Sequence, residues 1–177
     1  MKEVCHSRLQ EYGISHYFVH LPLDYAEFGT CSSLFKALEI DELLQHSYHD
    51  EDRSPPGVGE YLNPIAFEEL VERVEKVLGE SVKSWKNSER LIKRVEIITG
   101  AGNSTTNIQD AVNLGCDDYI TGEKVLYTVQ YAQHIGMNLI VGSHTFTEIF
   151  GIRALAEKLA ATFGDLEIVE LKEEYFE

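Results

Sequence analysis

The chain has 177 residues, of which 44% are apolar, enough to bury the core of one domain spanning residues 1–177. Its 30 acidic against 15 basic residues give a formal net charge of −15, which disfavours binding to nucleic acid or to anionic lipid. Three cysteines without C-x-x-C spacing argue against a disulfide framework and a zinc ribbon. Because no segment has the pattern of a signal peptide or a membrane span, we expect a cytoplasmic protein with reduced thiols.

The first third of the chain predicts two regular elements and then an irregular stretch. Residues 14–20 are aromatic and β-branched and follow Gly13, which favours a strand after a helix that ends at that glycine. A helix is predicted over 30–39. The stretch 41–63 carries a charge run, adjacent prolines and two glycines, so it is predicted to be mostly loop and to form the boundary between two sub-lobes.

The clearest helical pattern covers residues 67–78. Its apolar residues recur at the i, i+3, i+4, i+7 spacing of an amphipathic helix. Gly79 follows directly, at a position where glycine commonly ends a helix. The pattern therefore predicts a helix that packs one face on the core.

From residue 94 onward, short apolar segments alternate with helical patterns. The predicted strands lie within 94–103, 116–123, 138–144 and 165–172. The predicted helices lie within 104–115, within 124–136 and after residue 144. Such alternation predicts an α/β fold with a mixed, mostly parallel sheet covered by helices. Ligands of such sheets bind at the carboxyl ends of the strands, here the turns at 100–104, 121–123 and 142–148.

His144 and Glu148 lie in the segment GSHTFTEIFG, at the start of the last helical pattern. Their i, i+4 spacing places both side chains on one helix face, with about 6 Å between their β-carbons. The positive end of the helix dipole near His144 favours neutral imidazole, the form that binds a metal ion. The pair predicts either two ligands of a metal site or an ordinary helix start with a carboxylate in its first turn.

The segment HLPLD (20–24) offers two further donor groups where the first predicted strand ends. His20 would supply a nitrogen and Asp24 an oxygen, at the edge of the sheet where the pair from the last helix is expected. The alternative is a turn stiffened by Pro22, with Asp24 as an ordinary helix cap.

Two other turns at strand ends allow either a functional or a structural interpretation. Glu123 in TGE can line the crevice as an acid, a base or a hydrogen-bond partner of a metal ligand, or it can cap the helix that starts at Lys124. The turn GAGNS (100–104) resembles a phosphate-binding turn, but tight strand-to-helix turns need glycine for steric reasons alone. A structural turn is the favoured interpretation of GAGNS.

Taken in order, HLPLD, GAGN, TGE and GSHTFTEIFG resemble the motifs of the Nif-three-like family, whose members are often called GTP cyclohydrolase I type 2 homologues. The resemblance begins near Tyr12 and continues to the C-terminus. The resemblance implies a cytoplasmic protein with a Nif-three-like α/β fold and a dinuclear metal site. It also implies assembly as a hexameric ring of two trimers. By resemblance, Asp24, His144 and Glu148 bind metal, and His20 lies beside it.

Two features depart from that family. Its members carry an N-terminal segment with two adjacent histidines that bind the same metals, whereas this chain begins after that point and contains no His-His pair. Glu60 in GVGEYL stands where the family's Gly-x-Gly motif is usually followed by Arg, which predicts the loss of a basic group near the crevice. These departures predict a fragment, a split subunit or a member with a weaker or single-metal site.

The residues and the resemblance together predict a metal-dependent hydrolase. Asp24, His144 and Glu148 would hold a divalent ion that activates water, and the mixed nitrogen and oxygen donors suit zinc, iron or manganese. His20 or Glu123 would move protons, and the substrate would be a small molecule, by resemblance a purine nucleotide. The alternative is a non-catalytic metal-binding assembly or interaction protein with an incomplete site.

Assembly is also expected to matter. The residues before Tyr12 are too few to supply the strands that precede this point in the resembling family, so apolar surface should be exposed. Large exposed apolar patches mark interfaces. We therefore expect a homo-oligomer, either a trimer or a hexamer.

Overall fold

The computed structural model describes residues 2–46 and 57–171. These ranges contain seven helices: α1 Lys2–Glu11, α2 Leu21–Asp24, α3 Thr30–Ala37, α4 Phe67–Leu78, α5 Thr105–Asn113, α6 Leu126–Ile135 and α7 His144–Thr162. They also contain six strands: β1 Glu42–Gln45, β2 Gly57–Ile65, β3 Lys83–Trp85, β4 Ile92–Ile98, β5 Asp118–Thr121 and β6 Asn138–Val141. The chain is a mixed α/β protein, as its alternating pattern predicts.

The six strands form one sheet in the order β1-β2-β4-β5-β6-β3. The central strands β4, β5 and β6 run parallel, so Asp118 lies between Val95 and Asn138. The strands β1, β2 and β3 pair antiparallel with their neighbours. The predicted mixed sheet is confirmed, but only two of its five strand pairings are parallel, those of the central βαβαβ unit.

Helices cover both faces of this sheet. One buried cluster joins α3 and α4 to the strands through Leu34, Phe35, Leu70 and Val74. A second buried cluster joins α5 and α6 to the strands through Ile108 and Ala132. Ile120 belongs to the first cluster and its neighbour Tyr119 to the second. Because successive strand residues point to opposite faces, the two clusters lie on opposite sides of the sheet.

Helix α4 has the bounds that its apolar pattern predicts. Four of its residues are buried: Phe67, Leu70, Val74 and Leu78. Gly79 ends the helix with a left-handed φ of 72° and donates its N–H to Glu75 O at 2.9 Å. Glycine adopts this conformation without the steric cost that a side chain would add.

Residues 14–20 do not form the predicted strand. They have no regular structure, and Tyr17 and Phe18 are 87% and 72% exposed. The last predicted strand, 165–172, is likewise absent over its described part, 165–171. Aromatic and β-branched residues stabilise a strand only where a neighbouring strand and a packed face receive them, and neither segment pairs with the sheet.

The stretch 41–63, predicted to be mostly loop, contributes β1 and most of β2 to the sheet; residues 47–56 lie outside the described residues. The glycines that suggested a loop instead allow close packing of β2. A Cβ on Gly59 would stand 2.9 Å from a ring carbon of Phe35. The three-residue strand β3 was not predicted, because so short a segment has no readable alternation.

Helix α7, with 19 residues, packs against α2 and α3. This packing brings the end of α2 and the start of α3 alongside the first turns of α7. Within residues 2–46 and 57–171, no helix is both long and apolar enough to cross a membrane.

Candidate metal centre

The three parallel strands end side by side, and their turns are joined by backbone hydrogen bonds. Gly122, after β5, donates its N–H to Gly100 O after β4 at 3.1 Å. Gly142, after β6, donates its N–H to Thr121 O at 3.0 Å. The turns predicted to form a site therefore meet at one edge of the sheet.

Helix α7 begins at this edge with His144. Ser143 caps the helix, because its Oγ accepts a hydrogen bond from the N–H of Phe146 at 3.3 Å. Glu148 follows one turn later, and its Oε1 lies 3.2 Å from His144 Nε2. The two side chains share a helix face, as their spacing predicts, and both are half-buried.

Glu123 holds the opposite side of the same imidazole ring. His144 Nδ1 lies 2.6 Å from Glu123 Oε1, and Asn103 Nδ2 donates to Glu123 Oε2 at 2.9 Å. Helix α6 begins only at Leu126 with Val125 at its N-cap, so Glu123 does not occupy the capping position. Of the interpretations open from sequence, the geometry matches a carboxylate that orients His144.

The glycine-containing turn after β4 leaves room for these side chains. Gly100 has a φ of +65°, and a Cβ there would collide with Glu148 Oε1 and stand 2.9 Å from His144 Nε2. Its N–H donates to Thr147 Oγ1 at 3.0 Å, and the same hydroxyl donates to His144 O at 2.9 Å. This glycine therefore serves a steric role beside the candidate ligands.

Asp24 and His20 lie near enough to Glu148 for their charges to act on its carboxyl group. Thr30 donates its hydroxyl to Asp24 Oδ1 at 3.2 Å and lies 2.7 Å from Thr99 Oγ1, so the hydroxyl ties α2 to the end of β4. His20 is exposed and stacks on Phe18, with 5.4 Å between ring centres. It lies in an irregular segment and not at the end of a strand.

The pKa of Glu148 is affected by burial and by the charged groups around it. Burial raises the pKa of Glu148, the negative charge of Asp24 raises it further, and His144 and His20 oppose that shift. The carboxylate therefore sits in a half-buried site with an adjacent negative charge. A bound cation would relieve both costs of ionisation.

His144 and Glu148 fit a metal ion as two of its ligands. Metal–nitrogen and metal–oxygen bonds of about 2.0–2.2 Å place two donors on a common ion about 2.9–3.4 Å apart. The observed separation of 3.2 Å between Nε2 and Oε1 lies in that range. Across the two described ranges, however, no three His, Cys, Asp or Glu side chains are grouped closely enough to hold a metal ion. The arrangement is a two-donor pair with an orienting carboxylate, and Asp24 lies near it.

Glu60 does not lie at this edge of the sheet. Its β2 position pairs with Arg94 near the amino end of β4, and Arg94 Nη2 contacts Glu60 Oε1 at 2.5 Å. The predicted loss of a basic group near the crevice is therefore wrong for this position, because the crevice lies beyond the carboxyl end of β4.

Several residues of the site were not singled out from the sequence: Thr30, Thr99, Asn103 and Thr147. Asn103 and Thr147 lie inside the motifs GAGNS and GSHTFTE, so their motifs marked the region without marking these side chains. Thr30 and Thr99 are distant in sequence and meet only through the packing of α3 on β4.

Curated relatives match this chain over most of its length. A protein of Haemophilus influenzae named GTP cyclohydrolase 1 type 2 homolog is 34% identical over 161 residues, which cover 89% of this chain and 62% of that protein. A Yersinia pestis protein of the same name is 36% identical over 157 residues, covering 88% of this chain and 60% of that protein. The chain thus spans less than two thirds of the length of these relatives.

Solved structures share the fold of this chain, and a family model matches its sequence. The structure of protein ybgI, of unknown function, gives a TM-score of 0.75 at 31% identity and covers 86% of this chain and 60% of its own. Reduced HcgD from Methanocaldococcus jannaschii gives a TM-score of 0.76 at 23% identity, covering 89% and 61%, a likeness of fold alone. The family model described as Duf34/NIF3 (NGG1p interacting factor 3) matches residues 1–175. The resemblance read from the four motifs is thereby confirmed, and the chain belongs to the DUF34/NIF3 family.

Proposed function

We propose that this chain binds a divalent metal ion through His144 and Glu148. The observation that carries the proposal is the imidazole of His144 between two carboxylates, with Nδ1 2.6 Å from Glu123 Oε1 and Nε2 3.2 Å from Glu148 Oε1. Metal-binding histidines commonly donate their other ring N–H to a carboxylate. Asp24 is the proposed third donor, since its charge already acts on Glu148.

Glu123 favours the tautomer of His144 that metal binding needs. In neutral imidazole one ring nitrogen carries the proton and the other offers a lone pair. If Nδ1–H is donated to Glu123, the lone pair of Nε2 points to the side of Glu148. Asn103 holds the second oxygen of Glu123 at 2.9 Å, which keeps the carboxylate in place.

We further propose that the centre hydrolyses a small-molecule substrate, of which a purine nucleotide is the first candidate. The support is the name of the relatives, GTP cyclohydrolase 1 type 2 homolog, together with a donor set that suits zinc, iron or manganese. A bound divalent ion would supply water of lowered pKa and polarise the group under attack. His20 is the proposed proton carrier between the centre and solvent, since it is exposed and its charge acts on Glu148.

A non-catalytic metal-binding assembly protein is the second candidate. It is favoured by the absence of a three-donor group among residues 2–46 and 57–171. Exposed apolar side chains in the terminal segments also favour assembly as a trimer or hexamer: Tyr12, Tyr17, Phe18, Phe163, Val169 and Leu171. Symmetric assembly can place donors of neighbouring copies around a shared interior.

Elemental analysis of the purified protein tests the metal proposal. After dialysis against zinc, iron(II) or manganese, wild-type protein should retain metal, and the double variant His144→Ala/Glu148→Ala should retain none. The matched control is His134→Ala/Glu157→Ala, which removes the same residue types from exposed positions on α6 and α7. Equal metal content in the two double variants would exclude His144 and Glu148 as ligands.

Two measurements separate the candidate functions. Hydrolysis of GTP that requires added divalent ion and stops with a chelator supports the hydrolase. Light scattering at micromolar concentration tests assembly: a mass of a trimer or hexamer without any hydrolysis supports the second candidate. A monomer mass near the 20.1 kDa of one chain across a dilution series would reject the assembly proposal.

A further inference from the structure

A pocket of about 270 Å³ lies beside the candidate metal centre, at the carboxyl ends of β5 and β6. Glu123, the partner of His144 Nδ1, forms part of its wall together with Asn103 and the turn glycines Gly122 and Gly142. This edge of a parallel sheet is where such folds bind ligands. The pocket and the metal centre thus share a carboxylate and form one continuous region.

Two lysines line this pocket, Lys83 and Lys124. Lys83 begins β3, and antiparallel pairing sets it opposite Val141, the last residue of β6. Lys124 follows Glu123, and its Nζ lies 5.9 Å from the centre of the Trp85 ring. Two distant segments therefore place a cation each at the same pocket.

Neither ammonium group forms an ion pair with a carboxylate in the part of the chain that the structure describes. Five other cations pair with carboxylates, Arg73, Lys86, Lys93, Arg94 and Arg153, whereas Lys36 and Lys76 resemble the two pocket lysines in having no ion pair among the described residues. The two pocket lysines keep their charge available to a ligand, in a chain whose net charge is −15.

Each of the two carboxylates near the pocket has at least one hydrogen-bond partner. Glu123, the one acidic residue among the described residues that line the pocket, is engaged by Asn103 and His144. Glu80 lies behind Gly142, where its Oε1 accepts a hydrogen bond from Ser143 N–H at 2.7 Å; its Oε2 is buried and has no hydrogen-bond partner among the described residues. Among the described residues that line the pocket, two lysines stand against one carboxylate, with Glu80 behind the wall, so the lining itself favours an anion.

We infer that this pocket binds the phosphate group of the substrate, with Lys83 and Lys124 as its cationic contacts. Lysine binds phosphate as a point charge from a flexible stem, and the side-chain amide of Asn103 adds a hydrogen-bond donor at the same wall. The substrate class is then a phosphorylated small molecule whose remaining part extends toward His144. This inference rests on the proposed function for the reaction, but phosphate binding itself needs no metal.

Trp85 provides a direct reporter, because it is the only tryptophan of the chain and lies beside Lys124. Metal-free protein is titrated with inorganic phosphate at constant ionic strength, while tryptophan emission and heat of binding are recorded. We expect saturable binding with a Kd on the order of 1 mM, and at least about tenfold weaker binding for Lys83→Ala/Lys124→Ala. The matched control is Lys36→Ala/Lys76→Ala, which makes the same change in net charge on α3 and α4, away from the pocket.

Each outcome either supports or overturns the inference. Lack of saturable heat with wild-type protein, or equal phosphate affinity in the two double variants, would overturn it. If succinate binds as tightly as phosphate, the pocket binds anions without selectivity, and the phosphate assignment is rejected. Phosphate binding that persists in His144→Ala/Glu148→Ala supports the inference even where the metal proposal fails, and metal binding without phosphate binding overturns the inference alone.

Discussion

The ends and the interiors of the parallel strands carry carboxyl groups in opposite surroundings. At the edge where these strands end, Glu123 in the turn after β5 and Glu148 in the first turns of α7 are half-buried, and each contacts His144. Within the strands, Glu96 of β4 and Asp118 of β5 are fully buried, and among the described residues neither carboxyl group has a hydrogen-bond partner. Carboxylates at the edge of the sheet are thus accessible to a ligand, whereas the carboxyl groups inside the strands lie in the core.

This difference in surroundings changes the protonation of the two groups. Burial raises the pKa of Glu96 to about 9, and the charge of Asp110 adds to that shift. Burial also raises the pKa of Asp118 well above its usual range, with Asp117 adding to it. For Glu148 the effect of burial is opposed by His144. At neutral pH the strand interiors therefore hold protonated acids, whereas Glu148, although its pKa is also raised, has a partner in His144 that stabilises its charged form.

The largest expected effect is on the strand ends, from Gly100→Ala. The added methyl group collides with the end of the Glu148 side chain, which must swing away from His144. We expect bound metal to be lost, while the left-handed backbone lowers the unfolding free energy by only about 1–2 kcal/mol. Metal analysis and chemical denaturation measure the two effects.

Gly79→Ala is the matched control for that substitution. Gly79 has a similar φ of +72°, and a Cβ there meets nothing within 4 Å. The Gly79→Ala variant should show the same fall in unfolding free energy and should keep its bound metal. Equal metal contents in the two alanine variants would show that the turn after β4 does not shape the centre.

The second prediction concerns the strand interiors and compares wild-type protein with Glu96→Gln. Between its ordinary pKa of 4.5 and the folded value of about 9, Glu96 keeps its proton only in the folded state. The contribution of Glu96 to the unfolding free energy is therefore greatest at low pH and falls as pH rises through this window, by up to about 1.4 kcal/mol per pH unit. Glutamine cannot ionise, so the difference in unfolding free energy between variant and wild type should change by up to about 2.7 kcal/mol from pH 6 to pH 8. Parallel stability curves would mean that Glu96 does not titrate in this way.

Much of the fold could be predicted where one local pattern decides the structure. The apolar spacing of 67–78 and the glycine after it specify α4, and the alternation after residue 94 specifies the central βαβαβ unit. That alternation also placed the turns of Glu123 and His144 at one edge. The structure brings these two residues, with Glu148, into contact.

The rest depends on contacts between segments distant in sequence. Lys83 reaches the pocket because β3 pairs with β6, which three residues of sequence cannot indicate. Glu96 and Asp118 interrupt apolar strands and reveal their burial only when helices cover both faces. Residues 14–20 have the composition of a strand but no partner strand, so their propensity alone gave the wrong prediction.

The third prediction returns to the strand ends with Glu123→Gln. The amide can still accept a hydrogen bond from His144 Nδ1 but carries no charge, and it cannot accept from Asn103 through its nitrogen. Loss of such an orienting carboxylate weakens metal binding by about 10–100-fold. Competition with a metal-sensitive dye measures the affinity. Glu157→Gln on the exposed part of α7 is the control, and affinity unchanged in both variants would leave Glu123 without an orienting role.

The smallest expected effect concerns Thr30, whose buried hydroxyl supports the carboxylate of Asp24 at the end of α2. Thr30→Val keeps the shape but removes the hydroxyl that donates to Asp24 Oδ1 at 3.2 Å and lies 2.7 Å from Thr99 Oγ1. We expect the unfolding free energy to fall by about 1 kcal/mol, because these groups lose a hydrogen-bond partner. Metal affinity should fall by only about 2–5-fold, since Asp24 is less firmly positioned. Thr30→Ser keeps the hydroxyl but loses a buried methyl group, so its stability should fall by about 0.8 kcal/mol while its metal affinity stays at the wild-type value. Affinity that declines equally in both variants would assign Thr30 to packing alone and would remove the role of its hydroxyl in positioning Asp24.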